Sequence, residues 1–170
     1  MKSAPDSTDY QRELSVSYNK VGDVLVAQGN LPEALKSYRD GLAIADRLAA
    51  SDPGNAGWQY DLGISHERIG NVLMAQGHLD DVLVEYRTEL AIMEPLADRD
   101  RSNTDWQRFI SVVYGRIGIV FVKPGNRTEA LKMLTTGRTI IARMTEISPD
   151  NVEWRDNLRW FEEQLQSLNR

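Results

Sequence analysis

The residues able to do chemistry are few, and their spacing works against catalysis. The chain has two histidines, His66 and His78, and no cysteine. A zinc-protease helix places two histidines four residues apart around a glutamate, and "HERIG" at 66–70 supplies only the first of them. Without cysteine there is no thiol nucleophile, no disulfide and no thiolate metal site. "GNLPEAL" at 29–35 has one glycine and no following Gly-Lys-Ser/Thr, so it cannot cradle phosphates as a P-loop does. Asp23, Glu33 and Glu67 read as solvated or paired carboxylates, His66 as a packing residue, and His78 as a turn residue. No catalytic, cofactor or metal residue is expected, and the chain does not read as an enzyme.

One set of spaced residues points to binding instead. Lys20, Arg68 and Arg116 stand two positions before Gly22, Gly70 and Gly118, one cation every 48 residues. Beside them run further columns at the same spacing: Asn19 and Glu67; Asp23 and Asn71; Val26 and Met74; and the apolar Val16, Ile64 and Val112. A cation ladder flanked by apolar residues could hold an acidic or carboxylate-bearing peptide through charge-assisted hydrogen bonds. The plainer reading is that each cation solvates a helix face or pairs locally. Lys20 with Asp23 would be such a pair, worth about 0.2–0.5 kcal/mol.

Those columns need a repeating scaffold, and the sequence spells one out. "GDVLVAQGNL" at 22–31 returns as "GNVLMAQGHL" at 70–79, seven of ten positions unchanged. In the same register lie Tyr10, Trp58, Trp106 and Trp154; Leu14, Leu62, Ile110 and Leu158; and Gly29, Gly77 and Gly125. Three full units at 5–52, 53–100 and 101–148, and a partial one at 149–170, cover a single expected domain. Within a unit, apolar residues recur at three-, four- and seven-residue steps, the period of one helix face. Gly29-Asn30 breaks the first helix. Asn30 is expected to cap the second and to close a capping box with Glu33, as Asn126 would with Glu129. Asn55 should cap the next unit. Each unit is then a hairpin of two helices about 20 residues long. The recurring aromatics read as staples between neighbouring units, not as a ladder for stacking bases.

Two prolines mark departures. Pro95 falls inside the fourth helix, where the lost N–H and the clash with Ala91 predict a kink or an early stop near Met93–Glu94. Lys123-Pro124-Gly125 should end the fifth helix sharply.

At this point the chain resembles the tetratricopeptide repeat, whose signature is W-x2-L-G-x2-Y, then A-x3-F, then P. The matching residues are Tyr18, Val21, Gly22 and Leu25; His66, Ile69, Gly70 and Leu73; and Tyr114, Ile117, Gly118 and Phe121. The second half matches at Ala34 and Tyr38, Val82 and Tyr86, and Ala130 and Leu134. The family unit has 34 residues, so a 48-residue period looks like a long-helix variant of the kind found in bacterial multi-repeat arrays. The resemblance implies an all-α, right-handed superhelical stack of antiparallel hairpins, about seven helices in all. It also implies a concave face of first helices for a partner. Val82, in place of a small residue, should loosen the second hairpin. The family's chaperone-type carboxylate clamp would want other residues at Asn19, Asp23, Arg68 and Val112, and only Arg116 matches it. A chaperone tail is therefore not the expected partner.

Composition fits this picture. A net charge of −5 argues against wrapping a nucleic-acid backbone. No apolar run approaches the roughly 20 residues of a membrane helix, and "MKSAPDSTDY" has no signal-peptide core. A cytoplasmic location is expected. The last helix, with Trp154, Leu158, Phe161, Leu165 and Leu168 on one face, suits a cap, but nothing comparable precedes Tyr10. A fragment of a longer protein is expected, with self-association through that open edge as the second option. The function expected is a non-enzymatic protein-interaction scaffold. The site residues proposed from sequence are Lys20, Arg68, Arg116, Asn19, Asp23, Glu67, Asn71 and Met74. The alternatives are an oligomerisation or regulatory module of a larger bacterial signalling protein, and a sensor for a small ligand or peptide.

Overall fold

A computed structural model describes residues 7–123 and 125–169. Among these residues the structure is all α: α1 Ser7–Ala27, α2 Leu31–Ser51, α3 Ala56–Gln76, α4 Leu79–Arg99, α5 Thr104–Val122, α6 Arg127–Ile147 and α7 Val152–Leu168. The starts of α2, α4 and α6 are 48 residues apart. This is a solenoid-like set of seven helices, and it divides into two compact units, 1–92 and 93–170.

The turns explain the spacing of the glycines. Gly29, Gly77 and Gly125 have φ of 77°, 81° and 76°, a left-handed conformation that a Cβ disfavours. At the first, the Gly29 N–H donates to the Val26 carbonyl and the Asn30 N–H to the Leu25 carbonyl. That is the Schellman arrangement, which satisfies the orphan carbonyls of a helix end. Gly77 with His78, and Gly125 with Asn126, repeat it.

The same bonds correct one expectation. Glu33 cannot close a capping box on the Asn30 N–H, because Leu25 already holds it. Nor does the Asn30 side chain cap α2; Pro32, at the second helical position, has no N–H to offer it. Asn126 accepts from the Glu129 N–H at 3.3 Å, but its own N–H is likewise committed, to Phe121. Asn55 caps its first helix as expected, and Asn103 and Asn151 cap α5 and α7 in the same way. Asn55 accepts from the Trp58 N–H (3.1 Å), Asn103 from those of Asp105 and Trp106, and Asn151 from that of Trp154.

Within the first unit, α1 and α2 close around Gly22, and α3 and α4 around Gly70. A Cβ at Gly22 would lie 2.3 Å from the Tyr38 ring, and one at Gly70 2.5 Å from that of Tyr86. Val82 is fully buried, and Tyr86 still lies on Gly70 beside it. Trp58 packs with Leu42 and Ile92 on a core of Ala45, Ala49 and Leu62, which joins α2 to α3. Tyr10 behaves differently from Trp58: it is 57% exposed and staples nothing, because no described helix lies over that face of α1.

In the second unit α7 lays Trp154, Leu158, Phe161, Leu165 and Leu168 against Leu134, Ile141 and Met144 of α6. The Phe161 ring fills the space over Gly137, where a Cβ would approach it to 2.6 Å. Arg155, Asp156, Arg159, Glu162 and Glu163 remain exposed.

Pro95 does not stop α4, which runs on to Arg99. Met93, Leu96 and Ala97 are buried, and burying a Met or Leu side chain yields about 1.5–3 kcal/mol each. That outweighs a proline penalty of about 3 kcal/mol. Pro95 and Ala91 are both exposed, so water can reach the carbonyl that loses its partner.

Candidate interaction groove

The first unit carries a groove between α1 and α3 with a volume of about 690 Å³. Val16, Ile64 and Val72 give it an apolar floor, and Val72 is only 3% exposed. Lys20, Asp23, Glu67, Arg68 and Asn71 supply its polar edges. Lys20, Asp23, Val26, Asn71 and Ala75 are exposed, so the groove is an open trough.

Three polar contacts tie its walls together. At one end Arg12 Nε donates to Asp61 Oδ2 at 2.6 Å, and that hydrogen bond, with the carboxylate charge, raises the guanidinium pKa. In the middle Asn19 Nδ2 donates to Ser65 Oγ at 3.4 Å. At the other end Arg68 grips Asp23 with two donors, Nε to Oδ1 at 3.0 Å and Nη2 to Oδ2 at 3.3 Å. Tyr38 Oη also donates to Asp23 Oδ1, at 2.8 Å. Burial alone would raise the Asp23 carboxyl pKa. The hydrogen bonds from Arg68 and Tyr38, with the Arg68 charge, outweigh burial and hold it below its ordinary value. For Tyr38, burial and the Asp23 carboxylate both push the hydroxyl pKa up, so it stays a donor.

The network varies by repeat in a coordinated way. Tyr86 Oη donates to Asn71 Oδ1 at 2.7 Å, the counterpart of Tyr38 and Asp23. In the second unit the same two columns hold Leu134 and Ile119, and Leu134 packs on Gly118 with no polar partner to satisfy.

The residues expected from sequence fall in different places. Lys20, Asp23, Glu67, Arg68, Asn71 and Asn19 all line the groove. Asn19 is 7% exposed, wedged between Ser65 and the backbone side of Gly41, so it braces the floor. Met74 is half-buried on α3 and is not a lining residue. Arg116 is half-buried on α5, in the second unit. The local Lys20–Asp23 pair is replaced by Arg68–Asp23, whose partners lie on neighbouring first helices. His66 is a packing residue with a partner: its Nδ1 lies 2.6 Å from Glu85 Oε2 across the α3–α4 hairpin. Sequence reasoning missed Tyr60 and Asp61 on the groove wall, and Arg12, which holds Asp61. The 48-residue register places Arg12 and Tyr60 at near-matching heights on α1 and α3, and that was the available signal.

Among the described residues no group of three or more His, Cys, Asp or Glu could hold a metal ion. Among the described residues, no helix is long and apolar enough to cross a membrane.

No protein-family model matches the chain, and a search of curated proteins finds no match. Among solved structures it is similar to BtubC (BKLC) from P. vanneervenii, with a TM-score of 0.62 and 12% identity over 99% of this chain. The chain spans 66% of that protein's length, and at such identity the likeness is one of fold. It is more loosely similar to the first TPR domain of human RPAP3, with a TM-score of 0.45, 19% identity, and 93% of this chain and 97% of that one covered. The designed helical repeat protein DHR64 gives a TM-score of 0.37 and 10% identity, with 96% of each chain covered.

Proposed function

We propose that the chain is a non-enzymatic interaction module that takes a peptide or protein segment in the α1–α3 groove. The observation that carries this reading is the trough itself, an apolar floor between polar edges on two adjacent first helices. Apolar side chains of a partner would bury on Val16 and Ile64, while its polar groups met Lys20, Glu67 and Asn71. A partner carboxylate would find Lys20 exposed, while Arg68 already commits two of its donors to Asp23. The groove therefore favours a partner of mixed character with one acid near Lys20 over a uniformly acidic one. Small-ligand sensing is the weaker reading, since small-molecule sites enclose most of the ligand surface and this trough is open along its edge.

Peptides selected on the full chain from a random phage library supply the test. Their binding, read by fluorescence anisotropy, should fall at least tenfold in Ile64→Glu and several-fold in Lys20→Glu, with melting curves unchanged. Selected peptides that bind both variants as tightly as the parent would defeat the proposal.

A further inference from the structure

The face of α1 opposite the groove is apolar and uncovered. Tyr10, Leu14, Val21 and Val24 are 57%, 49%, 53% and 56% exposed. At 3.6 residues per turn they form one stripe along the helix, with Ser17 at its middle. In α3 the residues in the same columns as the last three, Leu62, Ile69 and Val72, are 8%, 1% and 3% exposed. That face of a first helix is built to receive another helix, and on α1 no described residue covers it.

We propose that the occupant is α1 of a second copy, packed antiparallel about a two-fold axis at Ser17. The stripe is self-complementary in that arrangement. Turned end for end about Ser17, Tyr10 falls level with the partner's Val24, and Leu14 within one residue of the partner's Val21. The small Ser17 side chains meet at the crossing, where close approach of the backbones requires small residues. Such self-matching is what an isologous interface demands. Charge agrees with the geometry. Glu13 and Lys20 lie on the same flank of the stripe, and in antiparallel packing that flank meets its own copy. Each Glu13 then faces the partner's Lys20, twice across the axis. A parallel pairing would instead set that flank against the partner's opposite flank, so Glu13 and Lys20 would not meet. The apolar stripe does not line the groove, although Lys20 borders both, so Leu14→Glu with Val21→Glu separates this inference from the groove reading.

The test is the mass of the full chain in solution, measured by sedimentation velocity over a concentration series. A two-chain species that saturates with concentration is expected. Leu14→Glu with Val21→Glu should return it to one chain while the helical signal and melting temperature hold. Should that double variant unfold, charge exchange decides. Glu13→Lys alone and Lys20→Glu alone should each weaken the dimer several-fold, and the two together should restore it. A chain that stays monomeric throughout would overturn the proposal. So would assembly that keeps growing beyond two chains, which marks a head-to-tail contact, or a dimer indifferent to every one of these changes.

Discussion

The Tyr38 ring packs against Gly22, so close that a single methyl at Gly22 would sit 2.3 Å from ring carbon Cε1. This contact sets the approach of α1 to α2, and it recurs between Gly70 and Tyr86. It also aims the Tyr38 hydroxyl at Asp23, so a packing contact orders an edge of the groove.

Gly22→Ala should therefore destabilise the chain. Overpacking costs about 1–3 kcal/mol, and the gain in helix propensity over glycine returns about 1 kcal/mol. A net loss of about 1–2 kcal/mol is expected in denaturant unfolding. In a Tyr38→Ala background the clash is gone, and the same substitution should be neutral or stabilising. A loss of equal size in both backgrounds would remove the ring from the explanation.

Asp23 gives the groove a pH dependence. Its carboxyl pKa is lower in the folded chain than the ordinary 3.8, because Arg68 and Tyr38 favour the charged form against the effect of burial. The stabilisation is therefore complete above pH 3.8 and disappears as the pH falls through the folded value. Asp23→Asn removes the charge that titrates. Near neutral pH the parent should melt above this variant, and the gap should narrow as acid is added below 3.8. A gap that is constant with pH would mean that the Arg68–Asp23 contact contributes nothing to stability.

The asparagines at the helix starts separate into two classes. Asn103→Ala removes a cap on two N–H groups and should cost about 0.5–2 kcal/mol. Asn30→Ala removes no side-chain cap and should change stability by a few tenths of a kcal/mol at most. Equal losses at the two positions would contradict the capping geometry.

Much of the fold was legible because its devices repeat. The glycines that end first helices, the asparagines that start them and the close-packing glycines each recur in register, so coincidence could be set aside. What escaped was competition for a single partner. Asn30 looks like a cap until Leu25 is seen to hold its N–H and Pro32 to withhold another. Asp23 could pair with Lys20 on its own helix, but Arg68 on α3 reaches it with a two-pronged fork that lysine lacks. The intrinsic cost of Pro95 is visible in the sequence, while the burial of Met93 and Leu96 that outweighs it is a tertiary quantity. Most of the site columns meet in one groove. Arg116 shares their register but lies in the other compact unit, and a repeat period alone does not reveal where units divide.

The central claim is that the α1–α3 trough is the recognition surface, and amide chemical-shift mapping tests it most directly. A peptide selected on the full chain is titrated into the isotopically labelled protein. The largest shifts should cluster on Val16, Lys20, Ile64 and Asn71, and Ile64→Glu should abolish them. Shifts confined to residues outside α1 and α3 would contradict the account.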